Sequence, residues 1–343
     1  MKKISLLFLL TCCSFNAFAM PVPTAPVMDA SSYALVDYQS GEMIASMNPD
    51  LRVQPASITK VLTVYIAFDQ ISKGQLKLTD TALVSEKAWR QGIDSSESRM
   101  FLEVGTRVTI ADLLRGIIID SGNDAAVALA EDIAGSEDLF AQMMNQYAKK
   151  LGMTNSHFAD ASGMPNPEHY TTARDITTLA RALIQQDPEL YKIFAEREFK
   201  YGKVAAQHNR NGLLEKDPTV DGLKTGHTQA AGYCLLSSAI RDGRRLIAVV
   251  MGAKSWANRE SYNLELLNYG FRFYETDKLF GPNQPAGTVR VWKGTEEQLP
   301  IGVLSPVYMA LPNGSRSQVK YTTQITTAPI WPTAVGRRLG MVS

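Results

Sequence analysis

Residues 57–71 read SITKVLTVYIAFDQI and place apolar side chains at helical spacing behind a serine. Pro55 precedes the segment and Gly74 follows it, as is usual at the two ends of a helix. Residues three apart share a helix face, so the Lys60 amine can approach the Ser57 hydroxyl. A serine becomes nucleophilic when a base takes its proton, and a desolvated lysine in an electropositive site can be that base. The segment therefore predicts a helix with a nucleophile and base in its first turn, where backbone N–H groups can also stabilise an oxyanion.

Strand and helix patterns flank this helix on both sides. Apolar stretches at Ser32–Val36 and Glu42–Ser46 predict a hairpin. A second hairpin is predicted at Tyr233–Ile240 and Arg245–Met251. Helices are predicted at Ile110–Ala134 (two helices, broken at residues 120–124), Leu139–Leu151, Thr172–Gln185 and Ser261–Phe273. This order favours an α+β fold, with a mixed sheet whose first and last strands are neighbours and an inserted helical layer.

Length and composition predict two domains. The chain has 343 residues, 45% hydrophobic and 20% charged, as in ordinary globular proteins. Beyond Thr276 short β-rich segments begin, with Val289 and Val291 alternating with other residue types. We predict a main domain at residues 20–275 and a small all-β domain at 276–343, whose short tail is consistent with an incomplete domain.

Charge and residue counts exclude several classes of protein. The chain has 35 Lys and Arg against 34 Asp and Glu, and no long basic run, which argues against nucleic acid as a partner. Four His and three Cys give little material for a metal cluster, so we expect neither a metal nor a cofactor.

Residues 1–19 have the features of a secretory signal peptide. A short basic start precedes an apolar run at Ile4–Phe15, which is too short to span a bilayer, and residues 17–19 (Ala-Phe-Ala) fit a cleavage site. The alternative is an uncut membrane anchor. We expect a periplasmic protein, peripheral to the inner membrane if it associates at all. Cleavage leaves Cys234, which lies in an apolar run and is expected to be a buried, inert thiol.

A second candidate motif, Ser121-Gly122-Asn123, lies in the predicted break between two helices. Its hydroxyl can relay a proton, and its amide can hold a substrate peptide group. The alternative is a capped helix start, in which these side chains bond free backbone N–H groups.

A third motif, Lys224-Thr225-Gly226, precedes the second hairpin. On a strand Lys224 and Gly226 share one face, and the missing side chain of glycine lets a substrate backbone approach. The lysine adds positive potential, which attracts an anion and lowers the pKa of Lys60. The alternative is an exposed lysine on an edge strand beside a turn glycine.

The three motifs carry more information together than singly. Ser317-Gln318-Val319-Lys320 repeats the first pattern in a β-like stretch, where residues three apart face opposite ways, so we treat it as chance. The ordered trio is typical of class A β-lactamases and penicillin-binding proteins. From about Ser32 to Phe273 the chain resembles the D-alanyl-D-alanine carboxypeptidases, low-molecular-mass penicillin-binding proteins of serine peptidase family S11. The matching segments are residues 55–63, 121–126, 209–211, 220–228, 231–233 and 252–254.

This resemblance implies a penicillin-binding-protein/β-lactamase-like transpeptidase fold, with an antiparallel sheet, helices and a helical layer, followed by a small all-β domain. It implies removal of the terminal D-alanine from peptidoglycan pentapeptide stems, and covalent inhibition by β-lactams. Ser57 would be acylated, Lys60 would be the general base, and Ser121 would pass the proton to the leaving D-alanine.

The resemblance also implies a set of substrate-binding residues. Asn123 would hold the acyl-side amide, and the backbone N–H groups of Ser57 and His227 would form the oxyanion hole. The other binding residues would be Lys224, Thr225, Gly226, Arg210 and Arg259, which serve the terminal carboxylate and its surroundings. For the two arginines the alternative is a surface ion pair.

Three other functions remain open. A β-lactamase needs a fast deacylating base, and Glu168 is a lone acid without the surrounding Glu-x-x-Leu-Asn pattern, so we expect slow deacylation of penicillin. A D,D-endopeptidase needs less recognition of a free carboxylate than Lys224, Thr225 and the arginines provide. A non-catalytic peptidoglycan-binding protein would not need Ser57.

The C-terminus departs from the family pattern. Many members end in an amphipathic membrane-surface helix, whereas residues 332–343 contain two adjacent arginines without a sustained apolar face. We therefore expect weak or no membrane association.

Overall fold

The computed structural model describes residues 22–91, 93, 97–282, 284–291, 297–325 and 340–342. Its helices are α1 (Lys60–Ser72), α2 (Glu86–Arg90), α3 (Ile110–Ile118), α4 (Asn123–Ala134), α5 (Glu137–Leu151), α6 (Ala173–Gln186), α7 (Pro188–Tyr191), α8 (Leu213–Lys216) and α9 (Trp256–Phe273). Its strands are β1 (Ser32–Asp37), β2 (Met43–Met47), β3 (Thr81–Leu83), β4 (Arg107–Thr109), β5 (Glu198–Phe199), β6 (Gln207–His208), β7 (Val220–Thr228), β8 (Gly232–Arg241), β9 (Arg244–Ala253), β10 (Tyr274–Phe280), β11 (Pro285–Arg290), β12 (Gln298–Gly302), β13 (Val307–Pro312), β14 (Thr323–Ile325) and β15 (Gly340–Val342). The predicted signal peptide lies outside the described residues.

A five-stranded sheet in the order β2-β1-β9-β8-β7 forms the centre of the main domain. Every neighbouring pair is antiparallel, so the mixed sheet expected from the pattern is wrong and the antiparallel sheet implied by the resemblance is confirmed. The reason is that short turns join β7 to β8 and β8 to β9, and such turns connect antiparallel strands. Leu35 of β1 lies opposite Ala248 of β9, which confirms that the first and last strands are neighbours.

Helices cover both faces of this sheet. Successive side chains of a strand point to opposite faces, and β9 is apolar on both. Its residues Ile247, Val249 and Met251 join one buried cluster with α1 and α3 to α6, whereas Leu246, Ala248 and Val250 join a second cluster with α9. The sheet is therefore the middle layer of the domain. Cys234 is fully buried in the first cluster, as expected.

Local capping explains where the helices that frame the site begin. The side chains of Thr109, Ser136, Thr172 and Ser255 accept backbone N–H bonds at the starts of α3, α5, α6 and α9. The Ser255 cap starts α9 at Trp256, five residues before the predicted start. The predicted break between two helices is present at residues 119–122, between α3 and α4.

The C-terminal region consists of antiparallel strand pairs, β10 with β13, β11 with β12 and β14 with β15, which confirms a small all-β domain. Glu42 accepts a hydrogen bond from the Ala310 backbone and ties this region to the first hairpin. Ser317 lies in a short 3₁₀ helix, Arg316–Gln318, so the β-like stretch expected there is wrong. Within the described residues, no helix is both long and apolar enough to cross a membrane.

Candidate active site

The nucleophile turn is a short 3₁₀ helix, Ala56–Thr59, that runs directly into α1. Ala56 has a positive φ of 49° and leads into the half-buried Ser57. The Lys60 amine lies 3.0 Å from the Ser57 hydroxyl, to which it donates when protonated and from which it can accept when neutral. The sequence thus predicted this pair correctly in space, although Ser57 lies in the 3₁₀ turn rather than in α1 itself.

The Lys60 amine has two further acceptors. It bonds Asn123 Oδ1 at 2.6 Å and the Ser162 carbonyl at 2.7 Å. A neutral amine has two hydrogens and one lone pair, so these two acceptors direct the lone pair of neutral Lys60 towards the Ser57 hydroxyl. This is the arrangement that a general base requires.

Burial is the main reason why Lys60 can be neutral. The side chain is fully buried, and burial lowers the pKa of Lys60 to about 7. The carboxylates of Asp160, Glu97 and Asp124 act against this shift, and the charge of Arg210 supports it. The sequence analysis named both desolvation and positive potential as causes, and desolvation is the larger of the two.

The loop that the sequence analysis considered only for Glu168 supports Lys60 through other residues. Asp160 accepts backbone N–H bonds from Ser162 and Gly163 and faces His169 Nδ1 at 3.2 Å, while the other ring nitrogen of His169 lies 2.8 Å from Thr59 Oγ1. Burial opposes ionisation of Asp160, but these hydrogen bonds outweigh it and hold its pKa below the usual range. The loop therefore fixes the carbonyl that orients Lys60.

Glycine at position 163 is required by the close approach of this loop to the nucleophile turn. A Cβ at Gly163 would lie 1.9 Å from the Ala56 carbonyl oxygen, and its φ of +91° is one that other residues rarely adopt. Glu168, the acid weighed as a deacylating base, is exposed on the same loop, and its backbone N–H bonds the Asn166 side chain.

The second serine and the second lysine form a separate pair. Lys224 Nζ donates to Ser121 Oγ at 2.9 Å and to the Thr225 carbonyl at 3.3 Å. Burial lowers the pKa of Lys224 well below its ordinary value, and the charges of Lys60, Arg210 and Arg259 lower it further. Ser121 is buried in the α3–α4 break, and the N-cap of α4 is Gly122 without a side-chain cap bond, so the alternative of a capped helix start does not fit.

The strand that carries Lys224 packs against the nucleophile turn. Strand β7 is the edge of the sheet, and a Cβ at Gly226 would lie 2.8 Å from the Pro55 carbonyl oxygen and 3.3 Å from the Ala56 side chain. Gly226 therefore makes room for the protein's own turn, whereas the sequence interpretation assigned that room to a substrate. Thr225 is buried beside it.

Two arginines and a histidine complete this side. Arg210 Nε donates to the Asp120 carbonyl at 3.1 Å, and Arg259 Nη1 donates to the Gly226 carbonyl at 3.3 Å. Among the described residues neither has an acidic partner within ion-pair distance, so the alternative of a surface ion pair does not fit. The ring of the largely exposed His227 lies 4.1 Å from that of Tyr233, and its partial desolvation together with the Arg259 charge lowers its pKa.

Two acids in the site had no signal in the sequence. Asp120 is buried beside Ser121, its Oδ1 has no hydrogen-bond partner within the described structure, and burial raises its pKa to about 7. Glu97 accepts a hydrogen bond from Asn123 Nδ2 at 2.9 Å. Both come from loops, where residue type alone does not reveal direction. The described residues contain no group of three or more His, Cys, Asp or Glu that could hold a metal ion.

Comparisons with known proteins agree along nearly the whole chain. A family model described as D-alanyl-D-alanine carboxypeptidase matches residues 20–255, and one described as penicillin-binding protein 5, C-terminal domain, matches residues 274–343. D-alanyl-D-alanine carboxypeptidase DacA of Haemophilus influenzae is 39% identical over 322 residues, which cover 93% of this chain and 81% of that protein. DacC of Escherichia coli strain K12 is 42% identical over 313 residues, 89% of this chain and 78% of that protein. The crystal structure of penicillin binding protein 5 from H. influenzae superimposes with a TM-score of 0.88 at 39% identity, covering 93% of each chain.

Proposed function

The chain belongs to the D-alanyl-D-alanine carboxypeptidase family and is a serine-type enzyme of that activity, and we propose that its acyl-enzyme forms on Ser57. The observation that carries this assignment is the position of the Lys60 amine, 3.0 Å from the Ser57 hydroxyl and held by two other acceptors. We propose peptidoglycan pentapeptide stems as the substrate, with the terminal D-alanine as the leaving group.

Acylation begins with proton transfer from Ser57 to neutral Lys60. Ser57 Oγ then bonds to the carbonyl carbon of the penultimate D-alanine, and the oxyanion is held by the backbone N–H groups of Ser57 and His227. The peptide C–N bond breaks, and Ser121 passes a proton to the nitrogen of the departing D-alanine. Ser121 in turn receives the proton that Lys60 took from Ser57, so Lys60 returns to its neutral form. An ester on Ser57 remains.

The leaving D-alanine carries a carboxylate, and the positive side of the site fits it. The cationic side chains of Lys224, Arg210 and Arg259 repel one another in a largely buried site. A bound anion would reduce this repulsion. Thr225 adds a hydroxyl donor on the same strand. This cluster favours a substrate with a free C-terminus, so an endopeptidase acting on cross-links is the weaker alternative.

Hydrolysis of the ester releases the shortened stem, with water activated by Lys60. A β-lactam would acylate Ser57 in the same way, and its acyl-enzyme would be long-lived because Glu168 is an exposed acid without the Glu-x-x-Leu-Asn pattern of a deacylating base. Repeated, rapid turnover of nitrocefin would contradict this and favour a β-lactamase.

We propose that residues 1–19 direct export and that the enzyme works in the periplasm, where its peptidoglycan substrate lies. The basic start, the apolar run and the small-residue cleavage site of this segment support export. Amino-terminal sequencing of the protein recovered from a periplasmic extract tests it, and a mature chain beginning at Met20 is the expected result.

Mass spectrometry after incubation with benzylpenicillin tests the assignment of the nucleophile. We expect one covalent adduct on the peptide that contains Ser57, and release of D-alanine from a pentapeptide by the same preparation. The Ser57→Ala variant should show neither. If that variant still releases D-alanine, the nucleophile is elsewhere; if the unaltered chain does neither, the non-catalytic binding protein is the better description.

A further inference from the structure

Glu97 reaches the acyl side of the site from the segment between α2 and β4. Its Oε2 accepts a hydrogen bond from Asn123 Nδ2 at 2.9 Å. The start of α4 anchors the part of this segment that follows Glu97, because the Asn123 N–H bonds the Ser98 carbonyl at 2.8 Å and Asp124 accepts the Met100 N–H at 2.8 Å. The position of the half-buried Glu97 is therefore set by the same helix turn that carries Asn123.

The bond to Glu97 leaves Asn123 able to bind substrate. Its Oδ1 faces Lys60, which fixes the orientation of the amide. Its nitrogen has two hydrogens: one bonds Glu97, and the sulfur of Met164, a weak acceptor, lies 3.5 Å from the nitrogen. A substrate carbonyl is a stronger acceptor than a thioether, so it can take the second hydrogen without displacing Glu97. Glu97 and the bound substrate carbonyl would then accept hydrogen bonds from the same Asn123 amide nitrogen.

Charges divide the site into two sides. Lys224, Arg210 and Arg259 lie on the leaving-group side, where a terminal carboxylate binds. Glu97 lies on the acyl side, and Lys60, on which its charge acts, tends to be neutral because it is buried. A peptide that matches this arrangement is negative at its C-terminus and positive on the residue that precedes the two D-alanines.

Resting on the proposed function, we propose that Glu97 is a specificity-determining residue that recognises a free side-chain ammonium on the residue preceding D-Ala-D-Ala. The preferred substrate class is a stem peptide with an unmodified diamino acid, such as lysine, at that position. Acylation of the amine, as occurs in a cross-link, removes its positive charge, so Glu97 would not favour such a peptide.

Two matched peptides test the proposal with the full chain. Nα-acetyl-L-lysyl-D-Ala-D-Ala carries the ammonium, and Nα-acetyl-L-norleucyl-D-Ala-D-Ala has a similar apolar stem without it. The measured quantity is the ratio of their kcat/KM values, lysyl over norleucyl. We compare the unaltered chain with Glu97→Gln, which retains an acceptor for Asn123 Nδ2, and with Glu103→Gln, an exposed acid on the same segment.

We expect Glu97→Gln to lower the ratio about fivefold, as for a partly exposed ion pair, and Glu103→Gln to leave it unchanged. In the unaltered chain the ratio should also fall as salt is added, since salt screens a partly exposed charge pair. An equal ratio in the unaltered chain and Glu97→Gln overturns the proposal and leaves Glu97 as a support for Asn123. Hydrolysis of neither peptide by the unaltered chain overturns the proposed function itself, and the present inference with it.

Discussion

The two lysines of the site show how the same side chain acquires two functions. Both are buried, and each donates to a serine hydroxyl, at 3.0 Å for Lys60 and 2.9 Å for Lys224. Lys60 also has two strong neutral acceptors, Asn123 and Ser162, and several carboxylates nearby. Lys224 has one long additional bond and is surrounded by cations. Lys60 therefore has its hydrogen-bond acceptors in place, whereas the one acid that acts on Lys224, Asp120, is outweighed by the neighbouring cations.

This difference supports the roles proposed for the two lysines. The hydrogen-bond acceptors of Lys60 all belong to the protein, so its amine is already oriented before substrate binds. We propose that the carboxylate of a bound substrate adds the negative charge that Lys224 needs, because an opposite charge favours the protonated form. In this proposal Lys60 is oriented for proton transfer, and Lys224 is placed to bind the substrate carboxylate.

The largest expected effect comes from removing the base. Lys60→Ala should lower kcat/KM for D-alanine release by about a thousandfold, within the usual range for loss of a general base. It should slow acylation by benzylpenicillin similarly, because the same proton must leave Ser57. The control is Lys149→Ala, which removes an exposed lysine of α5. A loss of less than about tenfold would mean that another group takes the proton.

Removing the second lysine should have a smaller effect that depends on the substrate. Lys224→Ala should lower kcat/KM for a peptide with a free C-terminus by about a hundredfold, as for loss of one electrostatic partner in a preorganised site. With a C-terminally amidated peptide the loss should be clearly smaller, since no carboxylate is present. Steady-state kinetics on this peptide pair is the measurement, and equal losses on both peptides would make Lys224 part of the proton pathway instead.

The loop under Lys60 gives a prediction for stability. Gly163→Ala should lower the free energy of unfolding by about 2 kcal/mol more than Gly74→Ala, because its Cβ would overlap the Ala56 carbonyl. Gly74 is the matched control, with a φ of +70° and nothing within 4 Å of a built Cβ. Chemical denaturation measures the difference. Equal destabilisation would show that positive φ alone, rather than the contact with the nucleophile turn, sets the cost.

The contrast between the two sides also explains what the sequence could predict. The hairpins, the main helices and the break at residues 119–122 follow from local periodicity and turn residues, which are written in consecutive positions. The antiparallel arrangement of the whole sheet was not visible in that pattern, because strand pairing joins distant segments. The three motifs could be recognised because their residue types carry the hydroxyl, amine and amide groups that the proposed chemistry needs.

The supporting residues were not visible, for reasons that differ. Ser162 acts through its backbone carbonyl, and no residue type reveals such a role. His169 contacts the nucleophile turn from a loop about a hundred positions away, and Asp160 orders that loop, so the function of both depends on tertiary packing. Gly226 was correctly selected for its missing side chain, but the neighbour that needs the space is Pro55 rather than a substrate.

The smallest expected effect concerns Asp120, the buried acid on the Lys224 side. Burial raises its pKa to about 7, against the opposing charges of Arg210 and Lys224 and with support from Asp124. Below that pH the carboxyl is neutral, and above it an anion lies among the cations that bind the substrate carboxylate. The KM of the unaltered chain should therefore rise as pH increases through about 7, whereas Asp120→Asn should lack this rise.

About one pH unit above the pKa of Asp120, the KM of Asp120→Asn should be about fivefold lower than that of the unaltered chain, and one unit below it the two should converge. Ionisation of Lys60 changes kcat over the same pH range in both proteins, so KM rather than kcat is the informative quantity. The control is Asp138→Asn, which removes an exposed acid of α5 and should follow the unaltered chain. If KM of Asp120→Asn still rises with pH, the titrating group is another one, and the Lys224 side binds its anion without competition from Asp120.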